Sequence, residues 1–452
     1  MPVPPNGNDP DVLFCDMNAC FASSEQQANP LWRGKPVGVT PISVPGSCVI
    51  SPSYELKARG VKTGMSNRDA RLMAPDMVLK VSDTDLYREM HRRLNRILCD
   101  FSPDVRPLSV DEAAVFLAGT PALRTRSMES IALELKARVK KEMGPAMRVS
   151  VGIATNVFLA KTAASLDKPD GLRTIRADNL RDVLARLKLT DLCGIAGRYE
   201  ARLNAAGLFT PLDFLDADAH FLCKSVFGSI EGYYWFRKLR GYEEKTYEPN
   251  RGSYGNSVQL DKPTWRIDTL LGIAEMLCLK ASTRMRREGY GARNVQLMLR
   301  YEGGGWFKRH IRSARPLWTV PDVFRAAVTV FNAQSGGGGR NNPKGVTKVM
   351  VDLYDLAAGA PAQLGLFDGE CKGSEIGGIM RDKRITESLD VINLKYGPNT
   401  LRTARMVGAN IEANIHDRIP FGSVSDVEEL YAEEEEGEVP NELAEAPLAL
   451  TD

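Results

Sequence analysis

Val12-Leu13-Phe14-Cys15-Asp16 and, much later in the chain, Asp111-Glu112-Ala113-Ala114-Val115-Phe116-Leu117 decide how this protein folds. Each is an apolar run of β-strand length that meets carboxylates at one end. Acids in such places are costly to bury unless something cationic neutralises them. The chain has only 4 histidines and no Cys-x-x-Cys, so the natural neutralising species is a hard, oxygen-seeking ion such as Mg²⁺. Three acids converging on one sheet point to a two-metal phosphoryl-transfer site.

The surrounding pattern tells how they could converge. Residues 11–17 read as a strand and 105–117 as a hairpin whose turn carries Asp111-Glu112. Leu86, Met90, Leu94, Ile97 and Leu98 mark a helix over 84–99. Met128, Ile131, Leu135, Val139 and Met143 mark another that Gly144-Pro145 ends. Arg148 to Ile153 is a further strand, and Asn156 caps the next helix. The order is βαββαβ, an antiparallel sheet backed by two helices, which permits Asp16 and the acidic pair to meet on one face. Residues 30–80, rich in Gly, Pro and Ser, interrupt this unit as a small insertion.

Beyond it, 178–245 read as helical. Residues 250–360 mix strands (Val295–Tyr301, Thr347–Leu353) with helices (268–288, 320–334), and Gly336–Gly339 reads as a loop tip. Order is expected to fall away after Pro361, apart from a short helix near 384–394. The proline-rich stretch from Met1 to Pro10 and the Glu433–Glu436 run read as disordered.

A length of 452 residues predicts roughly three or four domains. No apolar run approaches the ~20 residues of a membrane span, and the N-terminus is no signal peptide. Eight scattered cysteines suggest reduced thiols and an intracellular, cytoplasmic protein. The net charge of +2 conceals an asymmetry: residues 251–350 sum to about +11 and residues 421–452 to about −11. A basic block of this kind supplies phosphate contacts in nucleic-acid proteins, whereas the acidic tail receives no role.

The motifs resemble those of Y-family, translesion DNA polymerases. Asp16-Met17-Asn18-Ala19-Cys20-Phe21-Ala22-Ser23-Ser24-Glu25 resembles their opening motif, and Ser109-Val110-Asp111-Glu112-Ala113 their S-x-D-E-A hairpin. Ser150-Val151-Gly152-Ile153, Asn156, Leu159-Ala160-Lys161, Ala164-Ser165 and Lys168-Pro169 resemble the third block, spacing included. Asp-x-Asn-Ala, Leu31-Trp32, Gly34-Lys35-Pro36 and the C-terminal extension look closest to the catalytic subunit of bacterial DNA polymerase V (UmuC-like), with the polymerase IV branch as the near alternative. The resemblance implies an α+β multidomain right-hand polymerase. Its parts are a ferredoxin-like βαββαβ palm (11–29 and 81–177), fingers (30–80), a helical thumb with a helix-hairpin-helix (178–247), a β-rich little finger (250–358) and an extension (359–452).

What it implies about residues follows the motifs. Asp16 and Asp111 bridge two Mg²⁺ ions, for which Mn²⁺ can substitute; Glu112 completes the first and the Met17 carbonyl helps hold the second. Ser51, Tyr54 and Lys57 of the fingers, and Lys161, bind the triphosphate of an incoming dNTP. Phe21 is the steric gate that excludes a 2′-hydroxyl. Asn18 stands where many relatives have a second aspartate, and Cys20 replaces an aromatic. Leu189 to Thr210 resembles a helix-hairpin-helix in which Gly194, Ile195 and Gly197 bring backbone N–H groups to a DNA phosphate. Arg284, Arg286, Arg287, Arg293, Lys308, Arg309 and Arg312 are candidate contacts to primer-template DNA. Gln363-Leu364-Gly365-Leu366-Phe367 resembles the peptide that docks on the β sliding clamp, with Gln363, Leu364, Leu366 and Phe367 as its anchors. The polymerase V branch would add a UmuD-like dimer and RecA as partners. No segment is left for a proofreading exonuclease, which implies low fidelity. A catalytically inactive clamp- and DNA-binding scaffold is the alternative, and the intact acids and Lys161 argue against it. A nucleotide cyclase on a similar palm would have no use for the thumb hairpin or the basic block.

Overall fold

The computed structural model describes residues 3–45, 47–243, 251–333, 345–358, 373–397 and 400–413. They form two compact units divided between Glu243 and Arg251. The clamp-like peptide 363–367, the Gly336–Gly339 run and the acidic tail lie outside the described residues.

The first unit opens with β1 (Val12–Met17) and α1 (Cys20–Ala28). The insertion follows: β2 (Val37–Thr40), β3 (Ser51–Pro52), α2 (Tyr54–Ala58), α3 (Asn67–Met73) and β4 (Val78–Val81). Its three strands make their own small sheet in the order β3-β2-β4, over a core of Val49, Leu56, Val61, Ala70 and Met77. The chain then returns through α4 (Thr84–Cys99), β5 (Asp104–Pro107), β6 (Glu112–Phe116), α5 (Pro121–Thr125), α6 (Met128–Glu142), β7 (Val149–Ala154), α7 (Val157–Leu166) and β8 (Leu172–Thr174). The main sheet runs β5-β6-β1-β7-β8, so the first strand lies at its centre between β6 and β7, antiparallel to both. Glu112 begins strand β6 and only Asp111 remains in the turn, one residue short of the expected pair.

Strand periodicity divides the acidic first strand between two cores. Leu13, Cys15 and Met17 face α4 and α6, where Tyr87, Met90, Leu94, Ile131, Leu135 and Val139 close the layer. Val12 and Phe14 face α7 and a lobe of short helices, α8 (Leu180–Leu184), α9 (Gly197–Ala205), α10 (Pro211–Asp216), α11 (Ala219–Phe221) and α12 (Glu231–Leu239). Leu203, Phe214, Trp235 and Leu239 of that lobe share one buried cluster with Val12, Phe14 and Leu159. Residues 3–10, read from composition as disordered, are held instead. Arg240 Nε donates to the Val3 carbonyl at 3.0 Å, Asn6 N–H to the Arg240 carbonyl at 2.7 Å, and Tyr242 Oη to the Pro4 carbonyl at 3.1 Å.

The second unit contains β9 (Ser253–Thr264), α13 (Ile267–Arg287), β10 (Tyr290–Tyr301), β11 (Trp306–Leu317), α14 (Val320–Asn332) and β12 (Val346–Ala358). The antiparallel sheet β11-β10-β12-β9 packs one face on α13 and α14 through Val295, Leu297, Leu299, Val349, Val351 and Leu353. Order does not fall away after Pro361 as expected: α15 (Gly373–Tyr396) is twice the length of the short helix foreseen, and α16 (Ala404–Ala413) follows it. Both find partners. Met406 packs with Met276, Leu279 and Val320, and Ala409 sits against Gly272, where a Cβ would come within 2.5 Å of it.

Candidate active site

Cross-strand register settles where the acids go. In the β1–β6 pair Asp16 stands opposite Glu112. Residues directly opposite share a face, and here it is the face of Val12, Phe14 and α7. Asp111 is drawn in by its backbone, whose carbonyl accepts the Met17 N–H at 2.8 Å. Its turn is fastened from within: Ser109 Oγ donates to Asp111 Oδ1 at 2.6 Å, and the Leu108 and Ser109 N–H groups donate to the Glu112 carbonyl. From below, buried His91 of α4 lies 2.9 Å from the Val110 carbonyl through Nδ1, and Asn95 Nδ2 lies 2.9 Å from its Nε2. This arrangement suits an imidazole with its proton on Nδ1, and burial holds the His91 ring below its usual pKa.

Each of the facing acids has a lysine. Lys161 Nζ lies 2.5 Å from Glu112 Oε1, and Lys168 Nζ lies 2.6 Å from Asp16 Oδ2. Burial lifts the Asp16 carboxyl above the usual range; Lys168 draws it down, and the charges of Asp111 and Glu112 push it up again. Burial pulls the Lys161 ammonium down, yet the bond and charge of Glu112 leave it raised. Among the described residues no three His, Cys, Asp or Glu side chains close around a common point to hold a metal ion. The donor set nonetheless fits a hard divalent cation: oxygen ligands only, mutually repelling, and each facing acid already engaging positive charge.

Lys168 had no role in the sequence reading, and Asn18 explains its place. The Asn18 side chain is buried, exchanges hydrogen bonds with Ser150 Oγ, and accepts the Asp170 N–H at 2.6 Å. Ser150 Oγ also accepts the Gly171 N–H. Lys136 reaches the same loop, donating to the Asp170 and Gly171 carbonyls. The loop that carries Lys168 is thus pinned to the first strand's end. Lys168-Pro169 was visible as a motif; its contact with Asp16 depends on this network, which has no sequence signature.

Phe21 lies in the first turn of α1, just after Ala19 in a left-handed conformation (φ 48°). Its ring is buried and stacks on Tyr87 with centroids 4.3 Å apart and an interplanar angle of 9°. Tyr87 Oη donates to Glu25 Oε1 at 2.8 Å. Neither partner was singled out from sequence, although Tyr87 sits three and seven residues before the helical core positions Met90 and Leu94. Cys20 is buried in the same core. Ser51 Oγ accepts the Ala22 N–H at 3.3 Å, joining the insertion to α1. Tyr54 and Lys57 follow on α2, with Lys57 Nζ 4.4 Å from the Tyr54 ring centroid. Burial pushes the Tyr54 phenol up to about 12, with Asp16 adding to it and Arg148 opposing. Burial, then Lys168, lowers the Lys57 ammonium, while Asp16 raises it. The acids, Lys161, Lys168, Tyr54 and Lys57 therefore share one electrostatic environment.

The predicted DNA contacts divide. Gly194 needs its positive φ of 88°, and a Cβ there would meet the Trp235 ring at 3.3 Å. Gly197 begins α9 after Ala196, which makes no side-chain cap, so the helix leaves N–H groups for an anion. Ile195 is otherwise engaged: its N–H donates to the Leu192 carbonyl and its side chain is buried. In the second unit Arg286 is corrected. It is only 8% exposed, and it binds Asp390 of α15 through Nε (2.7 Å) and Nη2 (2.8 Å). Arg284 donates to the Gly255 carbonyl. Arg309 pairs with buried Leu297 and shares the helix-covered side of the sheet, at its edge. Arg293 is half-buried beside the bulge between Ala292 and Asn294, and Arg287 is exposed at the end of α13. Lys308 and Arg312, opposite Met298 and Asn294, lie on the open face, together with Arg300 and Lys348, which were not foreseen.

Comparison with known proteins agrees with this architecture. Residues 15–165 match the impB/mucB/samB family and residues 251–366 match the impB/mucB/samB family C-terminal domain. The chain is 31% identical over 399 residues to a protein named DNA polymerase IV from Pelotomaculum thermopropionicum, covering 87% of this chain and 94% of that one. It is 29% identical to DNA polymerase IV 1 of Bacillus subtilis, covering 86% and 92%. Among solved structures, a chimeric Y-family DNA polymerase superposes with a TM-score of 0.64 at 23% identity, covering 77% of this chain and 99% of its own. A sheet with its acids in register, two matching family segments and a relative aligned almost end to end lead to one conclusion: this chain belongs to the impB/mucB/samB family, the Y family of DNA polymerases.

Proposed function

We propose that this chain extends primer 3′ ends on a DNA template with deoxynucleoside triphosphates, as a translesion polymerase that works after the manner of the polymerase IV branch. The observation that carries the reading is the register of Asp16 against Glu112 with Asp111 tied beside them. These three carboxylates and the Met17 carbonyl would hold two Mg²⁺ ions, or Mn²⁺ in their place. Such ions, when bound, supply the positive charge that stabilises the entering and leaving oxygens of phosphoryl transfer.

The rest is supplied by the chain. Lys161 and Lys168, paired with Glu112 and Asp16, would turn to the phosphates once the acids take metal. Tyr54 and Lys57 approach the same phosphates from the insertion, which serves as fingers. The Phe21 ring, backed by Tyr87, lies under the sugar and leaves no space for a 2′-hydroxyl. Uncapped α9 and the open basic face of the second sheet grip the duplex backbone without reading sequence.

The relatives' shared name favours polymerase IV over the polymerase V likeness read from Asn18 and the extension, and a UmuD-like dimer and RecA belong only to that second branch. Gln363 to Phe367 would tether the enzyme to a β sliding clamp by raising its effective concentration at the primer end. The setting would be the bacterial cytoplasm; among the described residues no helix is long and apolar enough to cross a membrane. Primer extension by Asp111→Ala and Glu112→Ala proteins tests the assignment. Each substitution is expected to abolish synthesis in Mg²⁺ while duplex binding persists, and full activity in either would end it.

A further inference from the structure

We propose that the cleft between the fingers and palm, behind Tyr54, receives the terminal phosphate of the incoming nucleotide, with Arg148 as its cation. The inference rests on the reading of the site given above. A cavity of about 150 Å³ opens there, walled by Arg33, Gly34, Tyr54 and Glu55 on one side and by Asn18, Ser23, Ala146 and Arg148 on the other. Tyr54 is the shared wall between this cavity and the lysine-rich site.

Of the charged groups that line it, two are already committed. Arg33 donates to the Gln26 and Gln27 carbonyls, and Glu55 accepts from Gln26 Nε2 at 3.2 Å. Arg148 is different: its guanidinium makes no hydrogen bond or ion pair among the described residues. Its backbone, however, is fixed, because the carbonyl accepts the Asn18 N–H at 2.8 Å where β1 passes into the catalytic motif. A guanidinium anchored beside the first strand, uncommitted and facing a small polar cleft, is suited to fork onto phosphate oxygens. Asn18, which lines the cleft with Arg148, follows Asp16 by two residues and holds the loop that carries Lys168, while Tyr54 lines it beneath the Lys57 ammonium. The charges of Asp16 and Arg148 bear on Tyr54 with opposite signs. A triphosphate whose α-phosphate lies at the acids would extend its terminal phosphate past Tyr54 into this cleft.

Single-nucleotide insertion by the full chain on a primer-template tests it. Arg148→Gln is expected to raise the KM for dNTP about tenfold, equivalent to about 1.4 kcal/mol. Inhibition by inorganic pyrophosphate should weaken to a similar degree. Inhibition by a deoxynucleoside diphosphate, which lacks the terminal phosphate, should not change, and Arg148→Lys should recover part of the loss. An unchanged KM would overturn the proposal, as would equal weakening of triphosphate and diphosphate, since that pattern marks general damage to the site. If the wild-type chain extends no primer, the polymerase reading falls by itself. Equilibrium titration of dNTP into wild-type and Arg148→Gln protein then still decides the cleft.

Discussion

Asn18 shows how much a single side chain can determine. Its neighbours in sequence, Asp16 and Phe21, are the proposed metal ligand and sugar gate, whereas it turns inward and holds Ser150 and the Asp170 N–H. Aspartate at this position could still accept from Asp170 while the Ser150 hydroxyl donates to it; leucine could do neither. Asn18→Asp is therefore expected to keep wild-type kinetics. Asn18→Leu should raise the KM for dNTP about fivefold through a displaced Lys168, taking about 1 kcal/mol for a lost hydrogen bond. Steady-state insertion assays on both proteins check this. The proposed sugar gate is likewise a stack, Phe21 on Tyr87, rather than one ring. Phe21→Ala should raise ribonucleotide incorporation sharply, and Tyr87→Leu should raise it to a lesser extent by letting Phe21 tilt. Parallel dNTP and rNTP insertion measures both, and unchanged sugar selection in Phe21→Ala would remove the gate. The meeting of Asp16 with Glu112 was legible because motif and strand pattern coincide there. The places of Tyr87, Lys168 and Arg148 were not, because they depend on neighbours distant in sequence.

Among the elements, those with a continuous apolar face were readable and those at edges were not. β1 and β6 announce themselves because both faces are covered. β9 and β11 are the outer strands of the second sheet, and they carry residues that guard an edge: the charged and polar Lys308, Arg309, His310 and Arg312 on β11, and on β9 Pro263, which has no N–H to offer. α15 was foreseen only in part because its stability comes from its partners. Arg286 gives the measurable case. Asp390→Ala would leave a buried guanidinium without its carboxylate and should cost the second unit on the order of 2 kcal/mol. Denaturant unfolding of the full chain, followed by a probe in the second unit, should show its midpoint falling. An unmoved midpoint would mean that α15 adds nothing to that fold.

At the scale of the whole molecule, the basic residues fall into two kinds that charge counting cannot separate. Lys308 and Arg312 stand on an open sheet face, while Arg286 belongs to the interior. If the open face contacts phosphates, Lys308→Ala should lower the slope of log affinity for primer-template DNA against log salt by about 0.9. Arg286→Ala should leave that slope unchanged even where it weakens the fold. Fluorescence anisotropy across a salt series distinguishes them, and equal slopes for wild type and Lys308→Ala would exclude that face from binding.

The helical lobe of the first unit is fastened at both ends. Where it begins, the Ile175 N–H donates to the Ile153 carbonyl and Arg176 pairs with Glu129. Where it ends, Thr155 and Asn156 hold residues 238–242, and the segment from Val3 to Asn6 crosses over them. A part so secured is tied down at both ends rather than hung on a single pivot. It is a fixed bracket, and if the uncapped start of α9 meets a DNA phosphate as proposed, the bracket itself need not rearrange.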